Sequence, residues 1–304
     1  MVDIGSNSVR LLQVLSATGD GPAGPRETHV VGLKRDATAD GNLAASSLAR
    51  LDARLATLGE TVTDAALPET FVVGTSAVRD APNRAEVARI VRERLHADLV
   101  VVSGEREAGL AYRGARLAHP RGPVGVLDVG GASTEIAIGE TDTPSAAISV
   151  NVGGVRCNVG PVSEDPPAPG SVDSLRARIA ELITAESARL PSCETVIGVA
   201  GTLTTLAAID IGRYDADLVH GHVLTSDRLD EILGRLTTLT IEERRAIPGL
   251  EPDRAPVIVA GAAIVLGVLD AIGVAEVVVS ERDLLDGVAL GVLEGSFRID
   301  GEIS

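Results

Sequence analysis

The chain has 304 residues, 45% of them apolar, which is enough for two ordinary domains each burying its own core and excludes general disorder. Its formal net charge of −16 argues against general nucleic-acid binding and demands a locally basic groove for any polyanionic ligand. Nearly all positive charge is arginine, with Lys34 the only lysine; a compositional bias accounts for the total, and the bidentate fit of guanidinium to phosphate oxygens matters at a few positions.

Residues 1–34 read as a strand, a turn from Gly5 to Ser8, a strand over 9–15, a Gly/Pro loop over 18–25 and a strand over 27–33, which makes an antiparallel meander. Only Met1 and Val2 precede Asp3, so the first strand is expected to be clipped and its first turn frayed. No basic leader or apolar signal core opens the sequence, and a cytoplasmic address is the expectation. A 3.6-residue period predicts helices over 44–58, 82–95 and 105–117, with strands over 70–73 and 99–102 between them. Alternating strands and helices indicate an α/β domain. The prolines and glycine of His119-Pro120-Arg121-Gly122-Pro123 then mark a linker, dividing the chain into domains 1–120 and 121–304, the last helix being free to pack back on the first domain.

The second half opens as the first does, with strands over 124–129, 135–138 and 146–152. Aligning Asp3-Ile-Gly-Ser-Asn-Ser with Asp128-Val-Gly-Gly-Ala-Ser pairs Asp3 with Asp128, Gly5 with Gly130 and Ser8 with Ser133 at a constant offset of 125 residues. A duplicated domain, with one such turn per half facing across a cleft, explains the match. Further along, 175–190 and 229–236 are amphipathic core-facing helices, and a strand over 195–199 leads into Gly201-Thr202. The apolar stretch 257–269 is shorter than the roughly 20 residues that span a bilayer and reads as a buried strand and helix, so no membrane partner is expected. His220 and His222 lack a third ligand and are assigned no zinc, and the isolated Cys157 and Cys193 are assigned no chemistry.

The two turns carry the chemistry. Gly5, Ser6, Asn7 and Ser8, and Gly130, Gly131, Ala132, Ser133 and Thr134, offer backbone N–H groups and hydroxyls at strand ends, the makings of phosphate-binding concavities. Asp3 and Asp128 are too short to reach phosphate past the turns but suit a Mg²⁺ ion that keeps several waters, with Glu135 a third metal candidate and Mn²⁺ a substitute ion. Ser103 is a helix N-cap, and the helix dipole accounts for Glu105 in the turn that follows.

These segments resemble the exopolyphosphatase and guanosine pentaphosphate phosphohydrolase (Ppx/GppA) family of the actin-like ATPase superfamily. The landmarks run in family order over essentially the whole chain: DIGSNSVRLL from Asp3, GTSAVRDAPN from Gly74, SGEREAGLAYRGA from Ser103, LDVGGASTEIAIG from Leu127, VGGVR from Val152, GVAGTLTTLAA from Gly198 and SERDLLDG from Ser280. The resemblance implies two actin-like (ribonuclease H-like) α/β domains with a phosphate-binding cleft between them. It further implies catalytic Glu107, which orients or deprotonates the attacking water, catalytic Asp128, and a phosphate contact from Arg79; Arg10, Arg156 and Arg254 are lesser candidates. The chain departs from the family at Ala132 in place of a third glycine, at Arg106 and Gly109, in a basic segment reduced to Lys34-Arg35, and in its short first strand. The expected activity is release of terminal orthophosphate from inorganic polyphosphate, shorter chains in particular, and a homodimer is compatible with it. Guanosine pentaphosphate is the alternative substrate, a non-catalytic polyphosphate sensor and an actin-like sugar kinase the other readings.

Overall fold

A computed structural model describes residues 1–18, 21–38, 40–65, 67, 69–118 and 122–297. The N-terminal sheet is built from β1 (Val2–Ile4), β2 (Ser8–Leu12), β5 (Arg26–Val30), β6 (Val72–Gly74) and β7 (Leu99–Val101), in the order β5-β2-β1-β6-β7; β3 (Ser16–Thr18) and β4 (Gly21–Ala23) form a separate hairpin. Its helices are α1 (Ala45–Asp64), α2 (Ser76–Arg79), α3 (Arg84–Leu95) and α4 (Gly104–Arg116). The second sheet contains β8 (Val124–Val129), β9 (Thr134–Gly139), β10 (Ala146–Val150), β11 (Thr195–Val199), β12 (Val223–Thr225) and β13 (Glu276–Val279), in the order β10-β9-β8-β11-β13-β12. Around it lie α5 (Ser171–Ser187), α6 (Ala200–Ile211), α7 (Ala216–Val219), α8 (Ser226–Thr237), α9 (Ile241–Arg245) and α10 (Ile258–Ile272), and the last helix is α11 (Leu284–Leu293).

The two sheets repeat one plan. In each, an antiparallel meander of three strands continues into parallel strands: β1 pairs antiparallel with β2 and parallel with β6, as β8 does with β9 and β11. The register repeats too, since Asp3 lies opposite Arg10 and Asp128 opposite Glu135, and the turns close with Gly5 N–H donating to Ser8 O and Gly130 N–H to Ser133 O, both at 3.0 Å.

Three apolar clusters hold these layers. One lies under the first sheet with α1 and α3, and the largest lies under the second sheet with α5, α6, α8 and α10. The third takes Val73, Val100 and Val102 from the first sheet region and Val124, Val126 and Ile197 from the second, with Ala108, Leu110 and Ala111 of α4 and Leu284 and Val288 of α11 between them. Helix α4 thus sits against β8, β9 and β10, while α11 packs on α4, β2 and β4. Gly114 and Gly287 permit this close approach of α4 to α11: a Cβ on Gly114 would meet the Asp283 carbonyl oxygen at 1.9 Å, and one on Gly287 the Leu110 carbonyl oxygen at 2.0 Å.

Several sequence expectations need correction. The first turn is not frayed: Val2 and Ile4 are fully buried, Val2 N–H donates to Phe71 O at 2.8 Å and the Met1 ammonium to Leu12 O at 2.8 Å. The second strand stops at Leu12 rather than 15, because the chain turns off into the hairpin and leaves Leu15 62% exposed. The helix expected over 82–95 is present as α3, starting at Arg84 just after Pro82, and a separate short α2 precedes it. Residues 257–269 form helix rather than strand and helix, and Leu266, Val268 and Leu269 close to its end are buried as completely as Ile264. Within the expected linker, 119–121 lie outside the described residues. No described helix is long and apolar enough to cross a membrane.

Candidate active site

The two turns face each other. Gly131 of the second turn lies so close to the first that a Cβ on it would meet Ser6 Cβ at 2.9 Å, Val155 Cγ2 at 3.2 Å and Asn7 N at 3.4 Å. Each turn is braced by the loop that follows its meander. Val31 and Gly32 N–H donate to Asn7 O at 2.8 and 2.7 Å, and Lys34 N–H donates to Ser6 O at 3.0 Å. In the second half Gly154 N–H donates to Gly130 O at 3.0 Å, and Val155 and Arg156 N–H donate to Gly131 O at 2.8 and 3.0 Å. Both backbone carbonyl sets are therefore turned outward, which leaves the inner N–H groups and hydroxyls to the cleft.

Between the turns lies a cavity of about 70 Å³, lined by Gly5, Ser6, Asn7 and Ser8 on one side and Gly130, Gly131, Ala132 and Ser133 on the other, with Asp3, Arg10, Thr75, Glu107 and Asp128 at its floor and walls. It opens into a larger cleft of about 930 Å³, the two sharing Arg10, Ala200, Gly201 and Arg254. Glu107 borders only the small cavity, whereas Arg26, Tyr214, Glu281 and Arg282 border only the large one. Gly201 lets the Arg254 guanidinium lie against the backbone, since a Cβ there would be 2.3 Å from it and would displace that side chain. Its neighbour Ala200 holds φ of +66° at the start of α6, a strained conformation at the joint between the cavities.

Buried acid dominates the floor. Asp3, Glu107, Asp128 and Glu135 all have less than a tenth of their surface exposed. Burial pushes Asp3 up against the opposing pull of Arg10, whose Nε and Nη2 donate to Asp3 Oδ2 at 3.0 and 2.7 Å. Burial first, then the charge of Asp128, raises Glu107 to about 8 although Arg79 Nη1 donates to its Oε2 at 3.0 Å. Asp128 is raised to about 7, by burial and by Asp283 and Asp3, against Arg10. Glu135 stands well above its ordinary value, through burial and the charges of Glu107 and Asp128. Four buried carboxylates so close that each raises another favour the approach of positive charge.

Asp3 Oδ1 and both side-chain atoms of Asn7 are buried with no hydrogen-bond partner, a costly state that a ligand or hydrated ion relieves. Yet among the described residues no three His, Cys, Asp or Glu side chains converge to hold a metal by themselves. Asp3, Asp128 and Glu135 are therefore not a ready three-carboxylate cage. They fit an ion of the Mg²⁺ type, which keeps waters and takes one or two carboxylates plus substrate oxygens.

Three expected site residues do not line the cavity. Thr134 is fully buried and its hydroxyl donates to Val152 O at 2.8 Å, because strand alternation turns it away from the cavity that Ser133 enters. Glu135 lies behind Asp128, accepting from Ser149 Oγ at 2.7 Å, and does not border the cavity. Arg79 likewise reaches the site through Glu107 and does not line the cavity itself. His222 pairs through Nε2 with Asp210 Oδ2 at 2.8 Å, and His220 Nδ1 accepts from Glu281 N–H at 3.3 Å. Sequence reasoning gave no role to Asp283, which caps α11 and also accepts from Arg10 Nη1; the SERDLLDG motif was the available signal.

Comparison with known proteins agrees with this geometry. Exopolyphosphatase 2 of Mycobacterium tuberculosis is 33% identical over 312 residues, covering 96% of this chain and 97% of its own length. The crystal structure of an Aquifex aeolicus Ppx/GppA family member superposes with a TM-score of 0.80 at 27% identity, covering 98% of both chains. An exopolyphosphatase from Cytophaga hutchinsonii superposes with a TM-score of 0.86 at 25% identity, covering 99% of this chain and 98% of its own. The shared fold is that of the Ppx/GppA family structures. With residues 25–295 matched by the sequence model of the Ppx/GppA phosphatase family, the chain belongs to that family, whose members are phosphoanhydride hydrolases.

Proposed function

We propose that this chain is an exopolyphosphatase that releases terminal orthophosphate from inorganic polyphosphate, with a preference for shorter chains. The observation that carries the reading is the joining of two unequal cavities at Arg10, Ala200, Gly201 and Arg254. The small one admits a terminal phosphoryl group between the turns, and the large one receives the rest of the chain along Arg10, Arg26, Arg254 and Arg282. Glu107 borders the small cavity and not the large one, which suits a group that acts on a nucleophile attacking the terminal phosphoryl in line.

In the proposed reaction Glu107 accepts a proton from water as the water oxygen bonds to the terminal phosphorus and the bond to the bridging oxygen breaks. The N–H groups of Ser6 to Ser8 and Gly131 to Ser133 receive the phosphoryl oxygens, and Arg79 holds the Glu107 carboxylate in place. A divalent cation, held by Asp3 Oδ1 and Asp128 with Glu135 behind, would neutralise phosphate charge when bound. Domains 1–120 and 121–304 supply one turn each.

Guanosine pentaphosphate remains the second reading, on one observation: Tyr214 is 60% exposed and borders the large cleft, where it offers a face for a base. Orthophosphate release from short polyphosphate by the purified chain with Mg²⁺, absent in Glu107→Gln, tests the proposal; a Glu107→Gln enzyme of unchanged rate would sink it.

A further inference from the structure

Beyond Glu107, on the side away from the large cleft, lies a cluster that neither turn chemistry nor helix packing requires. Asp80, the residue after Arg79, accepts from Arg156 Nη2 at 2.7 Å on Oδ2, and Lys34 Nζ lies 3.6 Å from the same oxygen. The two cations come from opposite halves of the molecule, and each hangs from one turn. Lys34 N–H is bonded to Ser6 O; Arg156 bonds Gly131 O through its N–H and Ala132 O through Nε at 2.7 Å. Arg79 is close enough to act on both Lys34 and Asp80.

The charge count is unusual for this protein. Lys34, Arg79 and Arg156 face only Asp80 and Glu107, three cations against two carboxylates in a chain of net charge −16. Lys34, Asp80 and Arg156 keep 17%, 31% and 34% of their side-chain surface exposed, so the cluster is open to solvent ions. Burial would raise Asp80, but the Arg156 hydrogen bond and the charges of Lys34, Arg156 and Arg79 outweigh it and hold the carboxyl below its ordinary range. It is therefore ionised throughout the neutral range.

Resting on the phosphohydrolase reading, we propose that Lys34 and Arg156, with Arg79 beside them, form a second anion subsite for orthophosphate on the Glu107 side of the cleft, and that Asp80 occupies it as an internal counter-ion. Hydrolysis frees orthophosphate on this side while the shortened chain stays in the large cleft. An anion released there meets cations already neutralised by Asp80, and it passes to solvent instead of being retained. The same carboxylate joins the two cations across the turns and holds Ser6 against Gly131.

Calorimetric titration of inorganic phosphate into the chain reads the subsite without turnover, so it stands apart from whether polyphosphate is the substrate. With Asp80→Asn a second phosphate should bind per chain, and orthophosphate should inhibit hydrolysis at least about fivefold more strongly. Adding Lys34→Gln and Arg156→Gln to that variant should restore the wild-type stoichiometry. Lys34→Gln alone should leave phosphate inhibition of the wild type unchanged, because Asp80 already fills the subsite. One phosphate per chain in folded Asp80→Asn, or inhibition unchanged or weaker there, overturns the subsite. If Asp80→Asn does not fold, the same titration of Asp80→Ser decides, and one phosphate per chain there overturns the subsite.

Discussion

Arg79 donates from Nη1 both to Glu107 Oε2 at 3.0 Å and to Val102 O at 2.8 Å, tying the proposed base to the end of the first sheet. The carboxylate is thereby fixed on a helix that itself packs on the second sheet. Glu107→Gln keeps shape and loses the base, so kcat should fall about 10²–10⁴-fold with little change in KM. Arg79→Ala should lower kcat as well and, by removing the guanidinium that opposes burial, move the rising limb of the pH–rate profile upward. A rate loss in Glu105→Gln in place of Glu107→Gln would transfer the role to the other acid of this turn.

In the cation-free protein Glu107 stands at about 8 and Asp128 at about 7, above their unfolded values. The folded state then keeps protons that the unfolded chain has released, so the stability they contribute is complete below the ordinary carboxylate range and is lost as pH rises through about 7 to 8. Without divalent cation the melting temperature should fall across that interval, and Glu107→Gln should flatten part of the fall. A melting temperature that climbs with pH there would show that these groups are ionised in the empty site.

Asp283 joins two functions that substitution separates. Its Oδ1 accepts from Leu285 N–H at 2.8 Å in the cap of α11, and its Oδ2 accepts from Arg10. Asp283→Ala loses both, with about 0.5–2 kcal/mol from the cap alone. Asp283→Ser retains a capping oxygen, and should recover stability while leaving KM for polyphosphate altered, because Arg10 keeps only Asp3. Equal stability of the two variants would mean the cap is unimportant here.

Glycine substitutions test how closely the turns must meet. Gly131→Ala puts a methyl 2.9 Å from Ser6 Cβ and should cost on the order of 10²-fold in kcat/KM by displacing the phosphoryl site. Gly109→Ala in α4 meets nothing within 4 Å and should stabilise the protein by about 0.5–1 kcal/mol. A fully active Gly131→Ala enzyme would show that the turns separate during catalysis.

Much of this was legible in the sequence, because the 125-residue offset between Asp3 and Asp128 carries a repeated register as well as a repeated motif. What sequence could not give is side-chain direction. Thr134 sits in the same motif as Ser133 yet turns to Val152, and Glu135 pairs with Asp128 in register yet stays behind it. Partners far apart in the chain were equally hidden: Asp80 to Arg156, or Arg10 to Asp283, depend on how the halves close and have no periodicity to betray them.

The central claim is that the large cleft receives a phosphate chain from the terminal-phosphoryl cavity. Initial orthophosphate release with Mg²⁺ should be measured for short polyphosphate, long polyphosphate and guanosine pentaphosphate at matched terminal-group concentrations. The account predicts the highest kcat/KM for short polyphosphate, falling as salt rises. A kcat/KM tenfold higher for the nucleotide, about 1.4 kcal/mol of extra transition-state binding, would contradict it.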